Sequence, residues 1–495
     1  MINVISVDNM RKSDKYTIDN ITPSPELMQN AGKAVYNSVS WHGKTAIVCG
    51  SGNNAGDGYV LALEMAENGF ECEIILIKDK FSHDGEYYFS KCRERHIPYR
   101  LYDAEVNFDT YDIIVDCIFG TGFKGKAEGI EREVIEKINK SKAYTVSVDI
   151  NSGLNGDSGI SDLCVEADLT VSIGTLKSGH ILNMAKDKIG KLVNMDIGIS
   201  LVDKPYKLLE KEDVRKILKQ RCNYSHKGTY GYISLIGGSI EYSGAIKLAN
   251  IASSAVRGGA GVVRLCVPRT IVNGVMPYML ESTLFPLSDK DGSVAFDKNE
   301  LDTLIKSSKV IAIGMGLGQR GENEKILDYL LNNYEGILII DADGLNSLAK
   351  MDYDLKKAKC KIVLTPHLKE LERLSKKSID EINENPIKFA MTYAKSNNIV
   401  LLLKGTATII TDGENTYLTS TGCSGMATGG SGDVLSGILA GLCVSNDASL
   451  IENVAIGAYI NGLAGEIARD ELCDISMSAG DTSRSVGKAI SYLIK

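Results

Sequence analysis

Short apolar runs alternate with helix-patterned stretches along the whole chain, and that alternation restricts the fold to α/β architecture. In the first half, Thr45–Cys49, Cys72–Ile77, Ile113–Cys117, Thr145–Val148 and Leu169–Ile173 read as strands. Glu86–Arg95 and Glu131–Asn139 read as helices between them, and a helix beginning near Pro25 has the apolar stripe Leu27, Met28, Ala31 and Val35. Near-continuous apolar strands such as Ile113-Ile114-Val115 predict a parallel sheet covered on both faces. The second half restarts the pattern with Tyr232–Ile236, Val262–Val267, Val310–Ile313, Ile337–Ile340, Ile362–Leu364 and Ile399–Leu403. Thr408–Thr411 and Thr416–Thr419, separated by Asp412-Gly413-Glu414-Asn415, read as a hairpin. Glycine is frequent (49) and proline scarce (9), which suits many tight strand-to-helix turns.

A chain of 495 residues exceeds one ordinary core. Lys204, Lys207, Glu210, Lys211, Glu212, Asp213, Arg215, Lys216 and Lys219 crowd together, so residues 206–220 read as a charged helical linker between domains 1–205 and 221–495. No repeat relates the halves, which predicts two different α/β domains. With 44% hydrophobic and 24% charged residues the expected class is soluble and globular. A net charge of −8 argues against a nucleic-acid partner. The 11 cysteines are scattered without CxxC spacing, so neither a zinc site nor a disulfide framework is expected. No apolar run reaches the roughly 18–20 residues of a membrane span, and Met1 to Asp14 has no signal-peptide core. A cytoplasmic protein with no membrane partner is expected. Apolar helices near Ile451–Ile467 suit the core, or a homo-oligomer.

The segment Gly425 to Gly441 is the most informative for chemistry. Gly425, Gly429, Gly430 and Gly432 lead straight into Asp433, and small and apolar residues follow at helical spacing. A glycine loop entering a helix presents free N–H groups and a partial positive charge, which suits phosphate. Asp433 has the wrong charge to clamp a phosphate, but it can take a proton from a substrate hydroxyl held against one.

A second constellation lies in the first half. Gly50-Ser51-Gly52-Asn53-Asn54-Ala55-Gly56-Asp57-Gly58 follows a strand, as the first βα turn of a doubly wound sheet does where nucleotides bind. Asn53, Asn54 and Asp57 interrupt the usual dinucleotide fingerprint and offer polar groups to ribose, amide or cation. Asp116 precedes Gly120-Thr121-Gly122-Phe123-Lys124-Gly125-Lys126, and Asp149 ends the next strand ahead of Ser152. Asn54, Asp116 and Ser152 are hard oxygen donors for an alkali cation, and Lys124 with Asp149 offers an acid/base pair. Each alone has a plainer reading; Asp149, for instance, suits a turn cap.

This set, with Leu27-Met28-Gln29-Asn30-Ala31-Gly32, resembles the NAD(P)H-hydrate epimerase family over roughly Met1 to Ser200. The resemblance implies a Rossmann-like fold and interconversion of the R and S forms of hydrated NADH or NADPH (NADHX, NADPHX). It implies that Asn53, Asn54, Ala55, Gly56 and Asp57, together with Gly120 to Lys126, contact substrate. Asp149 would be the base, and Asn54, Asp116 and Ser152 would ligate potassium. Ala55 stands where that family usually has glycine, which raises the question of a positive φ there.

In the second half, Lys227-Gly228-Thr229-Tyr230-Gly231, Gly237-Gly238-Ser239 and Gly314-Met315-Gly316-Leu317-Gly318 flank strands. Thr365-Pro366-His367 opens a helix, with His367 and Glu370 one turn apart. A histidine so placed is structural or functional with equal weight. With Asp341-Ala342-Asp343-Gly344-Leu345-Asn346, Leu403-Lys404-Gly405 and the Gly425 loop, this half resembles the ribokinase-like superfamily. Within it, the match is to ADP- or ATP-dependent NAD(P)H-hydrate dehydratases, over roughly Lys211 to Lys495. By that resemblance Lys404, Gly405, Thr406, Ala407 and Thr408 bind the nucleotide, as do Cys423, Ser424, Gly425, Met426, Ala427, Thr428, Gly429, Gly430, Ser431 and Gly432. Gly316, His367, Leu368, Lys369, Glu370, Leu371, Glu372, Arg373 and Asp433 would bind the hydrated cofactor. Lys369 replaces the family's usual glycine.

The expected whole is a repair enzyme with two sites: epimerisation first, then dehydration of the S form at the expense of ADP or ATP with Mg2+. A small-molecule kinase shares the aspartate loop but leaves the first half unexplained. A non-catalytic scaffold leaves Lys124, Asp149 and the cation set unexplained.

Overall fold

The computed structural model describes residues 1–253 and 258–495. They form two compact units, Asn3–Tyr206 and Lys207–Lys495, with Met1 and Ile2 grouped with the second.

In the first unit, seven strands form an all-parallel sheet in the order Tyr99–Leu101, Glu71–Leu76, Lys44–Cys49, Ile113–Cys117, Tyr144–Val148, Ala167–Ile173, Ile189–Met195. Side chains alternate across a strand, so each central strand must be apolar on both faces. Ile47, Cys49, Ile113, Val115 and Cys117 join the core on one face, with the helices Ser24–Ser38 and Asn53–Glu67. Ala46, Val48 and Ile114 join the core on the other, under Gly129–Lys140. The chain runs outward from Lys44–Cys49 to one edge and then returns to Ile113–Cys117 on its other side. The gap between those two strand ends is a topological switch point, where such sheets open a crevice.

The second unit repeats the principle with different wiring. Seven parallel strands follow the order Thr283–Leu287, Val262–Pro268, Tyr232–Ile236, Val310–Ile313, Ile337–Ile340, Lys361–Leu364, Val400–Leu403. An antiparallel hairpin, Thr408–Thr411 with Thr416–Thr419, extends the sheet. The order reverses between Tyr232–Ile236 and Val310–Ile313, again opening a crevice at strand carboxyl ends.

The segment 206–220, read as a charged helical linker, does contain a helix, Lys211–Ile217, anchored by fully buried Val214. Lys207 and Leu208 pair in parallel with Tyr417 and Leu418, and Leu208 and Leu209 are buried as well. From Lys207 onward the segment belongs to the second unit. Among the described residues no helix is long and apolar enough to cross a membrane.

Candidate active sites

In the first unit, a cavity of about 560 Å3 opens at the switch point. Gly50 and Gly52 turn the chain off its strand, and Asn53 starts the helix that brings Asn54 and Asp57 to the cavity wall. Gly120 to Phe123 and Asp149 close it from the next strand ends. Asp149 sits at φ +65, a left-handed conformation rare for a residue with a side chain. Its backbone is held by the Val171 carbonyl (2.8 Å) and by His180, whose Nε2 donates to the Asp149 carbonyl at 2.7 Å. His180 Nδ1 accepts the Lys177 N–H at 3.0 Å, which leaves the proton on Nε2 and the ring neutral. Burial, aided by the Lys177 charge, lowers His180 to about 4. The Lys177 ammonium, fully buried, donates to an Asp149 carboxylate oxygen and to the Ile173 carbonyl at 2.9 Å.

Beside this cavity is an oxygen cluster. Asp116, fully buried, accepts from Ser152 N (2.8 Å), Ser152 Oγ, Ser147 Oγ (2.8 Å) and Ile118 N (3.2 Å). Burial pushes its carboxyl up, and those hydrogen bonds pull against it. Asn54 Nδ2 donates to the Phe119 carbonyl at 3.0 Å, and Ser152 Oγ lies 3.2 Å from that same oxygen. Asn54 Oδ1 is buried without a hydrogen-bond partner. An orphaned amide oxygen beside a carbonyl, a hydroxyl and a carboxylate suits a hard monovalent cation.

In the second unit, consecutive strand ends converge on Asp341. This carboxylate is 1% exposed and accepts from Thr365 Oγ1 (2.8 Å), Lys404 Nζ (2.9 Å) and Ser436 Oγ (2.7 Å). Gly314 must be glycine, since a Cβ there would lie 1.8 Å from the Asp341 carbonyl. Lys404 also reaches Glu370 at 3.7 Å. Burial works against its charge, but Asp341 and Glu370 outweigh that and hold the ammonium above the usual lysine range. Gly430, at φ +97, turns the chain into the helix Ser431–Ser445. Helix geometry leaves the N–H groups of Gly432 and Asp433 free of helix carbonyls. A Cβ on Gly432 would stand 3.4 Å from both Asp341 Oδ2 and Lys404 Nζ, so these free donors adjoin the lysine. Burial, and then the Asp341 charge, raise Asp433 to about 7, against the pull of Lys404. The result is a pair of free N–H groups and an ammonium gathered beside one carboxyl, an arrangement that suits an anion.

The comparisons with known proteins match both halves. A family model described as NAD(P)H-hydrate dehydratase matches residues 233–486, and one described as YjeF-related protein N-terminus matches residues 24–179. The chain is 36% identical to the bifunctional NAD(P)H-hydrate repair enzyme Nnr of Moorella thermoacetica, over 93% of this chain and 91% of that one. It is 33% identical to the Nnr of Thermofilum pendens, over 90% and 88%. This chain belongs to the bifunctional NAD(P)H-hydrate repair enzyme family. Among solved structures, it resembles the ADP/ATP-dependent NAD(P)H-hydrate dehydratase of Bacillus subtilis co-crystallised with ATP and Mg2+. That match has TM-score 0.51 and 26% identity, and covers 58% of this chain and 99% of that one.

Within this repair-enzyme fold the structure sorts the expected site residues. Asn53, Asn54, Asp57, Gly120, Thr121, Gly122, Phe123 and Asp149 line the first cavity. Ala55 and Gly56 do not: Ala55 is buried in the core of a regular helix, so the family's glycine is not needed for a positive φ. Gly56 packs under Met28, whose Sδ would lie 2.4 Å from a Cβ there and would have to move aside. Lys124, Gly125 and Lys126 are exposed and outside the lining, and Lys126 lies 3.8 Å from Asp162. The expected Lys124–Asp149 pair is replaced by Lys177–Asp149, because Lys177 sits inside the fold whereas the Lys124 charge acts on Asp157. Asp14, Lys177 and His180 are additions; Lys177-Ser178-Gly179-His180 was detectable as another polar turn after an apolar strand.

In the second unit His367 is the N-cap of Leu368–Ser375, its Nδ1 accepting from Lys369 N (3.1 Å) and Glu370 N (3.3 Å). Glu370 returns the bond to His367 N at 2.9 Å. Burial lowers His367. Leu371 is fully buried core and is not free to touch a ligand. Gly316, at φ +66, packs so closely that a Cβ would lie 2.5 Å from the Tyr242 carbonyl. Asp341 bonds Lys404, and the charges of Asp341 and Asp343 both act on Asp433. Asp343 accepts from Gly318 N at 2.9 Å.

Proposed function

We propose that the first unit interconverts the R and S forms of NADHX and NADPHX, and that the second dehydrates the S form with ADP or ATP. The observation behind the second activity is the junction of the free Gly432 and Asp433 N–H groups with Lys404 and the Asp433 carboxyl. A terminal phosphate of the nucleotide, accompanied by magnesium, rests in that anion hole. Asp433 takes the proton of the ring hydroxyl as its oxygen attacks the phosphoryl group. The ring nitrogen then expels phosphate, and loss of a proton from the neighbouring carbon restores the dihydronicotinamide.

Potassium fits the oxygen cluster of Asn54, Asp116, Phe119 and Ser152, and supplies a fixed positive charge to the first site. Asn54→Leu should abolish any potassium stimulation of epimerisation while dehydration continues; epimerisation by the variant with an unaltered potassium response would remove the ion from this cluster.

The overall reading is tested by absorbance at 340 nm, using the full chain, mixed hydrate epimers and ADP or ATP. Recovery of all the substrate requires both activities. Recovery that halts at the S fraction, at a pH where spontaneous epimerisation is slow, removes the first.

A further inference from the structure

Besides Glu131, whose charge is paired with Lys78, three carboxyls line the first cavity: Asp14, Asp57 and Asp149, the last being the base that the epimerase resemblance implies. They come from three elements, the helix Val7–Asn20, the helix Asn53–Glu67 and the end of Tyr144–Val148. The three are not equivalent. Lys177 donates to Asp149 alone among them. Among the described residues no hydrogen bond or ion pair engages the Asp14 or the Asp57 carboxyl, although both lie on the wall. The other charges lining the cavity are Arg11 and the mutually paired Lys78 and Glu131. His180, behind Asp149, is neutral by its hydrogen bonds and donates to the Asp149 carbonyl, not to its carboxylate.

We propose that Asp14 is the proton donor that works with Asp149 in the first site, and that Lys177 is the positioning residue that holds the Asp149 carboxylate. This rests on the epimerase reading. One carboxylate with a buried ammonium and one carboxyl without a partner are an acid and a base kept apart by environment. Burial and the Asp149 charge raise Asp14 to about 6. Asp57, also pushed up by burial, then by Asp149 and Asp14, is the other unpaired carboxyl, so Asp57→Asn is the parallel variant: loss of the alkaline limb of the kcat profile in Asp57→Asn and not in Asp14→Asn overturns the assignment.

The step balances without a further reagent. Asp149 takes the proton of the ring hydroxyl, and the bond between the carbinol carbon and the ring nitrogen breaks. Its electron pair leaves on nitrogen, which takes the Asp14 proton, and the carbon keeps a carbonyl. Rotation of that carbonyl and attack by nitrogen on its other face run both transfers backwards. The product is the other epimer, with both carboxyls as they began.

The test uses the full chain and purified R epimer without nucleotide, following the epimers by chromatography. Asp14→Asn should lower kcat for epimerisation roughly 10²–10⁴-fold, with KM little changed, and should remove the alkaline limb of the kcat profile. That limb exists because the donor must be protonated, so activity falls as pH rises past its ionisation. Lys177→Met should lower kcat for epimerisation by about tenfold or more with KM little changed, and Lys177→Arg should partly restore it. Asp14→Asn within about tenfold of wild type, or with its alkaline limb intact, overturns the proposal. If Asp14→Asn does not fold, Asp14→Glu decides: its alkaline limb must move, and an unmoved limb overturns the assignment. A wild-type protein that leaves the epimers unconverted sinks the epimerase reading itself, a result distinct from an indifferent Asp14 in an active enzyme.

Discussion

Asp433→Asn should lower S-hydrate dehydration roughly 10²–10⁴-fold, the usual cost of losing a general base, while epimerisation proceeds at the wild-type rate. The variant keeps the size of the side chain and the helix start, so nucleotide affinity should be retained. Burial and Asp341 raise Asp433 to about 7, so its basic form grows as pH rises through that value. Wild-type dehydration should therefore fall as pH drops below about 7, and the residual activity of the variant should lack that limb. The same residue has a stability signature. Its folded form holds a proton that the unfolded chain has released, so its stabilising contribution is present at acid pH and lost as pH rises through about 7. Asparagine stays neutral, so the variant's second unit should melt higher than wild type at pH 8 and no higher at pH 4. A variant within about tenfold of the wild-type rate would remove Asp433 from the chemistry.

Lys404→Met should harm both stability and nucleotide binding. Asp341 is 1% exposed, and Lys404 is the cation bonded to it. Breaking a buried pair by removing one partner costs about 3–5 kcal/mol, which for a unit of this size lowers its melting temperature by on the order of 10 °C. ADP should also bind more weakly, because the ammonium adjoins the anion hole. Lys404→Met combined with Asp341→Asn separates the two effects. The double variant should regain part of the melting temperature but none of the affinity. A single variant that melts like wild type would mean that water, not Lys404, balances the Asp341 charge.

The strand ends were legible because the central strands are apolar on both faces, and Lys44–Cys49, Tyr144–Val148, Val310–Ile313 and Ile337–Ile340 each run into a glycine or an aspartate. Thr45–Cys49 and Val310–Ile313 match the observed Lys44–Cys49 and Val310–Ile313 to within a residue. The edge strand Ile189–Met195 was missed, because its exposed Gly190, Lys191 and Asn194 dilute the apolar signal. In segment 206–220 the charge pattern gave the helix, Lys211–Ile217, but not its anchoring, because counting charges does not weigh Leu208, Leu209 and Val214. At the first site, Asn53, Asp57 and Asp149 stand in glycine-rich turns and announce themselves. Asp14 does not, since it stands in a polar helix and acquires meaning only from residues far along the chain; Lys177 sits in a detectable polar turn, but its pairing with Asp149 is visible only in the fold. His367 shows the converse: a polar residue in a suggestive turn can be occupied by capping its own helix.

The helix that holds Asp433 is buried along its length, and Gly437 and Gly441 lie one and two turns beyond that carboxyl. At these positions the helix meets backbone directly. A Cβ at 437 would lie 2.2 Å from the Ala249 carbonyl, and one at 441 would lie 2.5 Å from that of Gly258. No side chain can give way there, so an added methyl must lift the whole helix. The two glycines thus act as a ruler that sets how far Asp433 reaches toward the phosphate, and a substitution that touches no ligand would register as a misplaced base.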